Sequence, residues 1–112
     1  MITWKNSASV RVQPAAMRLE QTRLAKDDLE SILEYGLLYF GTERVLAYLD
    51  HIESRFQQLL AYPRSGRIEQ DLPGTVYSTS CEAHRIYYEP TDDAVVIVRV
   101  LQKSMDVSRW IG

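Results

Sequence analysis

The sequence predicts an α+β fold, an N-terminal helical hairpin packed on a small antiparallel β-sheet, and three observations carry that expectation. Apolar residues recur at helical spacing from Thr22 to Pro63, with one break at Gly41-Thr42. Beyond Pro63 the period vanishes, and short β-branched or aromatic runs alternate with turn signals. The last run contains Val95-Val96-Ile97-Val98, which lacks polar alternation and so reads as a central strand buried on both faces. Helices that precede strands in this way lie together on one face of the sheet.

Residues 1–16 show no sustained period and carry Lys5, Asn6, Ser7, Ser9, Gln13 and Pro14, the mix of a poorly ordered extension. The patterned domain then runs over 17–112, which makes Met17 a candidate native start. Met17 to Gln21 alternates apolar and polar residues and reads as a short strand or a helical turn. Thr22 is a plausible N-cap for a first helix whose stripe is Ala25, Leu29, Ile32, Leu33, Gly36 and Phe40. Gly41 ends it. Thr42 is placed to cap a second helix, in which Val45, Leu49, Ile52, Phe56, Leu59 and Leu60 repeat until Pro63 forbids continuation. So short a hinge makes the two helices antiparallel.

Arg64-Ser65-Gly66-Arg67 and Leu72-Pro73-Gly74 read as turns. Strands are expected over Val76 to Cys81, His84 to Glu89 and Ala94 to Leu101, joined by Glu82-Ala83 and by Pro90-Thr91-Asp92-Asp93 into an antiparallel meander. The polar first strand suits an edge. Met105 to Gly112 is a short amphipathic tail whose Trp110 is expected to tuck against the body.

Composition bounds the function. The chain has 112 residues, 13 basic against 15 acidic, a formal charge of -2 and 46% hydrophobic residues, which describes one ordinary domain. Neither side of Pro63 hides a basic lobe, with 7 basic and 8 acidic residues before it and 6 and 7 from there on. Nucleic-acid binders gain affinity by neutralising several phosphates, so direct sequence-specific binding is not expected. The single cysteine, Cys81, suits a reducing cytoplasm, and no apolar run is long enough for a membrane span.

Several residue sets are of types that can carry chemistry. Cys81 and His84 lie three residues apart across a turn, but no residue nearby would orient the base or bind an oxyanion. His51 and His84 lack metal-ligand spacing, and Arg64-Ser65-Gly66-Arg67 follows a helix instead of opening one, so neither a metal nor a phosphate-bound cofactor is expected. More informative are Arg64, Arg67, Arg85, Arg99, Lys103 and Arg109, which all lie in the β half with Tyr77, Tyr87 and Tyr88 interleaved. Alternation sets His84, Ile86 and Tyr88 on one face and Arg85, Tyr87 and Glu89 on the other. Arg99 adjoins the most apolar strand, where a guanidinium needs a carboxylate partner in this chain or another. Tyr35, Leu37, Leu38, Tyr39, Leu46 and Tyr48 are surplus to the two helical stripes; such residues either widen the packing or form a partner surface.

Several strings occur in a telling order: Thr22 to Ile32, Tyr39-Phe40-Gly41, Ala47-Tyr48, Leu60 to Arg67, His84-Arg85-Ile86-Tyr87-Tyr88, Val98-Arg99-Val100-Leu101 and Met105-Asp106. In that order they resemble the ParE branch of the RelE/ParE toxins of bacterial type II toxin–antitoxin pairs. The resemblance implies a toxin held inactive by a cognate, ParD-like antitoxin. ParE-like toxins are associated with poisoning DNA gyrase, whereas RelE-like relatives cut mRNA on the ribosome, and the fold alone does not choose between them. The lack of a basic surplus and of an acid–base cluster favours a gyrase-directed protein with no catalytic residues. Antitoxin or target contacts are expected at Arg64, Arg67, Arg85, Tyr87, Arg99, Lys103 and Arg109. The alternatives are an mRNA endonuclease with Arg64, Arg67, Arg85, Arg99 and Lys103 on the phosphate, or an inactive interaction module. Gln102 stands where the ParE pattern commonly has histidine.

Overall fold

The computed structural model describes residues 17–111, so the expectation for residues 1–16 lies outside the described residues. The element order is β1 (Arg18–Gln21), α1 (Arg23–Tyr39), α2 (Thr42–Ala61), β2 (Arg67–Ile68), β3 (Tyr77–Cys81), β4 (His84–Pro90) and β5 (Ala94–Gln102), then a short 3₁₀ turn over Val107–Arg109.

Thr22 caps α1 as expected, because its Oγ1 accepts the Ala25 N–H at 3.0 Å. The same hydroxyl donates to the Val98 carbonyl at 2.7 Å, which ties the helix start to β5. Gly41 supplies the break at a φ of 90°, a conformation that favours glycine. Gly41, not Thr42, occupies the cap position of α2: Thr42 is already helical, and no side chain caps that end. The helices meet closely at Gly36, where an added Cβ would lie 2.2 Å from Val45 Cγ2.

All strands join one sheet in the order β1-β5-β4-β3-β2. The three expected strands form the antiparallel meander, and β5 is an interior strand, paired with β4 on one side and β1 on the other, while β4 takes the middle of the sheet. Two elements depart from expectation. Met17 to Gln21 contributes a strand that pairs in parallel with β5, so the sheet is mixed. No tight turn dictates its direction, since the hairpin and three strands intervene in the chain. Arg67 and Ile68 leave the expected turn to pair with Ser78 and Tyr77, which covers the edge that β3 was expected to form.

A β-bulge shifts the register of β5 against β4: Tyr87 faces Arg99 but Tyr88 faces Ile97. The bulge resets the alternation, so Val95, Ile97 and Val100 all enter the core beneath the helices. Against them pack Ile52, Phe56 and Leu59 of α2 and Ile86 and Tyr88 of β4, each at most 2% exposed. Burying each such side chain contributes about 1.5–3 kcal/mol. On the opposite sheet face Leu72, Val76, Tyr87 and Leu101 form a smaller cluster, closed by Val107 and Ile111 of the tail. The tail thus tucks in through those two residues, while Trp110 stays half exposed. Phe40, expected in the α1 stripe, is also exposed because it lies beyond the helix end at the hairpin tip.

Candidate functional site

The sheet face away from the helices carries the densest polar arrangement among the expected residues. Register places Arg67, Ser78, Tyr87 and Arg99 in one row across β2, β3, β4 and β5, with Ser80, Arg85 and Leu101 in the parallel row beside it. Arg85 Nη1 donates to Ser78 Oγ at 2.8 Å, and Ser78 Oγ donates to Glu69 Oε2 at 2.5 Å. Arg67 reaches the same carboxylate oxygen through Nε at 3.2 Å and Nη2 at 3.0 Å. Ser78, 1% exposed, is therefore a buried relay with its polar atom satisfied on both sides.

The electrostatics follow from this geometry. Burial pushes the Glu69 carboxyl up, but Ser78 and the two arginines outweigh it and hold the group below the usual carboxylate range. Burial, reinforced by the Glu69 charge, pushes the Tyr87 phenol up. Arg67 pairs with the carboxylate directly and Arg85 reaches it only through Ser78, which leaves an excess positive charge beside the buried Tyr87 ring. Such a face suits the carboxylates of an acidic peptide.

The structure brings Arg67, Arg85 and Tyr87 together and separates the remaining candidates from them. Arg99 shares their row but is committed to Asp28 of α1, through Nε at 2.8 Å and Nη2 at 2.7 Å. The same carboxylate accepts the Val100 N–H at 2.9 Å beside the bulge. Arg99 also donates to the Trp110 carbonyl at 3.0 Å and lies over that indole ring. These bonds to Asp28 raise its pKa above the usual guanidinium value despite burial. Arg64 sits in the turn after α2, Lys103 follows β5 at the far end of the sheet, and Arg109 lies in the 3₁₀ turn, all exposed. Glu69, Ser78 and Asp28 were missed in the sequence. The i, i+2 spacing of Arg67 and Glu69 on an extended segment was the one available signal.

On the helix side, His84 and Cys81 pair across β3 and β4, but the Tyr48 hydroxyl lies 2.6 Å from His84 Nδ1 and occupies that ring nitrogen. Tyr48 also receives the Ala83 N–H at 3.2 Å, so it belongs to packing and not to the surplus. Burial pushes the Cys81 thiol up and the His84 imidazole down, which opposes an activated thiolate–imidazole pair. His51, one turn along α2, contacts the Glu82 carboxylate in the β3–β4 turn. Among the described residues no group of three or more potential metal-ligating side chains is gathered. None of their helices is long and apolar enough to cross a membrane.

Fold and site together define a small α+β protein with a helical hairpin on one sheet face and a cluster of arginines on the other. The model of the family described as the ParE toxin of type II toxin–antitoxin systems matches residues 19–107, so the chain belongs to that family. It is 30% identical over 95 residues to toxin ParE3 of Caulobacter vibrioides, covering 85% of this chain and 95% of that protein. Toxin ParE1 of the same bacterium is 25% identical over 91 residues, covering 81% of this chain and 94% of that one. A solved structure of a chromosomal ParDE toxin–antitoxin system from P. aeruginosa aligns with a TM-score of 0.67 at 22% identity, over 78% of this chain and 96% of that one. The RelBE2 toxin–antitoxin complex of Mycobacterium tuberculosis aligns at 0.58 and 23% identity, over 83% and 98%. The chain is a ParE-like toxin of the type II class.

Proposed function

We propose that this toxin acts in the cytoplasm by binding and poisoning DNA gyrase, without catalysis, and that a cognate ParD-like antitoxin neutralises it. One observation carries the non-catalytic reading: the carboxylate nearest the arginines, Glu69, accepts from Ser78 and Arg67, which hold its pKa below the usual carboxylate range. A general acid or base works best with a pKa near the operating pH, and a carboxyl held low is a poor proton shuttle. The other titratable candidate, His84, lies on the opposite sheet face. In this reading Arg67, Arg85 and Tyr87 receive antitoxin carboxylates, Arg99 positions the tail through Trp110, and Arg64, Lys103 and Arg109 extend the cationic rim. Purified toxin should inhibit gyrase supercoiling, and antitoxin should reverse the inhibition. Normal supercoiling at saturating toxin would refute the gyrase target.

A second reading, a ribosome-dependent mRNA endonuclease, is favoured by one specific feature, the pair Arg67 and Arg85 beside the Tyr87 hydroxyl. Two guanidiniums and a phenol are groups able to stabilise a transferring phosphate. Primer extension on translated mRNA after toxin induction separates the readings, since only the endonuclease produces new 5′ ends. An inactive module would cause no growth defect at all.

A further inference from the structure

Tyr87 is only 6% exposed, its ring packed among Leu72, Val76 and Leu101, yet its hydroxyl has no hydrogen-bond partner among the described residues. Other tyrosine hydroxyls are put to use: Tyr88 receives the Gly66 N–H at 3.0 Å, and Tyr48 receives that of Ala83. Tyr77 also lacks a partner among those residues, but its ring lies in the apolar core on the helix side, away from the arginines. A buried hydroxyl left unpaired lowers the stability of the free fold, so its presence asks for a use outside folding.

What surrounds the hydroxyl names that use. The charges of Glu69, Arg85 and Arg67 all act on it. Arg67 gives Nε and Nη2 to Glu69 and keeps Nη1, whereas Arg85 gives Nη1 to Ser78 and keeps Nε and Nη2. One chain of hydrogen bonds, Arg67 to Glu69 to Ser78 to Arg85, holds the two heads near each other, and Glu69 is its only carboxylate. Glu89 lies on the far side of Tyr87 from Arg85 and accepts the Thr75 N–H at 3.3 Å, and Arg99 on the next strand is committed to Asp28. We propose that Tyr87 is the residue by which this face selects its partner: the hydroxyl donates to one Asp or Glu carboxylate of the antitoxin, flanked by the spare donors of Arg67 and Arg85. This role rests on the proposed reading of the face as the antitoxin site, and adds which atom discriminates. A charged oxygen acceptor satisfies the hydroxyl and the surplus positive charge together. An apolar side chain in its place leaves the hydroxyl buried and unpaired, and sites built to pair a polar group reject such replacements strongly.

Calorimetry of the cognate antitoxin against the full-length toxin, wild type and Tyr87→Phe, tests the role. The variant should bind at least about tenfold more weakly. It should also melt at or above the wild-type temperature, because it discards a buried hydroxyl that the free fold does not pair. In toxin labelled with ¹³C-tyrosine, the Cζ resonance that the variant lacks should shift on addition of antitoxin, as the hydroxyl gains its acceptor. Equal affinity for the variant, a melting temperature clearly below wild type, or an unmoved resonance would each overturn the role of Tyr87 while leaving the antitoxin site standing. Failure of the wild-type toxin to bind the antitoxin would instead remove the reading beneath it, and the role as well.

Discussion

Replacing Asp28 with alanine strips a near-buried guanidinium of its carboxylate, and the structure gives the size of the effect. Three donors converge on Asp28: Arg99 Nε, Arg99 Nη2 and the Val100 N–H, at 2.8, 2.7 and 2.9 Å. The Arg99 and Asp28 side chains are only 10% and 13% exposed, so water replaces these bonds poorly. Breaking such a pair from one side costs about 3–5 kcal/mol, and the remaining bond from Arg99 to the Trp110 carbonyl argues for the lower end, about 3 kcal/mol. For a domain with total stability of about 5–15 kcal/mol that is a large fraction, equivalent to a fall in Tm of roughly 12–24 °C. Urea and thermal melts followed by circular dichroism measure it. The double variant Asp28→Leu with Arg99→Met should recover much of the loss, because it removes both charges and fills the volume. A loss under about 1 kcal/mol for Asp28→Ala, or a double variant worse than the sum of the singles, would refute the assignment of this pair as the lock between α1 and β5.

Gly36→Ala should drive a methyl into Val45 and lower stability by about 1–3 kcal/mol, and adding Val45→Ala should restore part of it; thermal melts of the two variants decide. His84 is held below its ordinary pKa of 6.5 by burial, so the unfolded chain binds protons more readily below that pH. Its contribution is therefore full above about pH 6.5 and declines as pH falls towards the folded value, and His84→Asn should flatten the stability profile between pH 7.5 and 5.5. Glu69 behaves as a carboxylate with a depressed pKa: its contribution is present above the ordinary value of 4.5 and is lost on further acidification. Glu69→Gln should remove that acid-limb slope in the same melts. Arg85→Ala should weaken antitoxin affinity at least about tenfold, read by calorimetry, whereas Lys103→Ala at the far end of the sheet should change it little.

Local patterns were legible wherever neighbours a few residues apart decide the conformation. Thr22 as cap, Gly41 as break, Pro63 as stop and the Glu82-Ala83 hairpin all follow from the geometry of single turns. Alternation along β4 correctly set Arg85 and Tyr87 opposite His84 and Ile86, and it thereby located the cationic face. The limits appeared where that pattern is interrupted or where a residue's partner is remote. Phe40 kept the helical phase, yet the helix ends before it and the sheet does not reach that far.

What the sequence determined by itself is the hairpin of helices, the antiparallel meander of β3, β4 and β5 that follows it, and the place of β5 away from the edge of the sheet. Each is encoded by a period of two or of three to four residues, which the backbone imposes on any chain. Only the tertiary structure decided that β1 runs parallel to β5, that a bulge returns Val100 to the core, and that Arg99 is sealed by Asp28. It also decided that Glu69 holds the arginine pair together. Asp28 and Arg99 lie 71 residues apart, and no local period couples them. Their meeting is fixed by how the helical hairpin seats on the sheet, a packing choice made by the whole core at once.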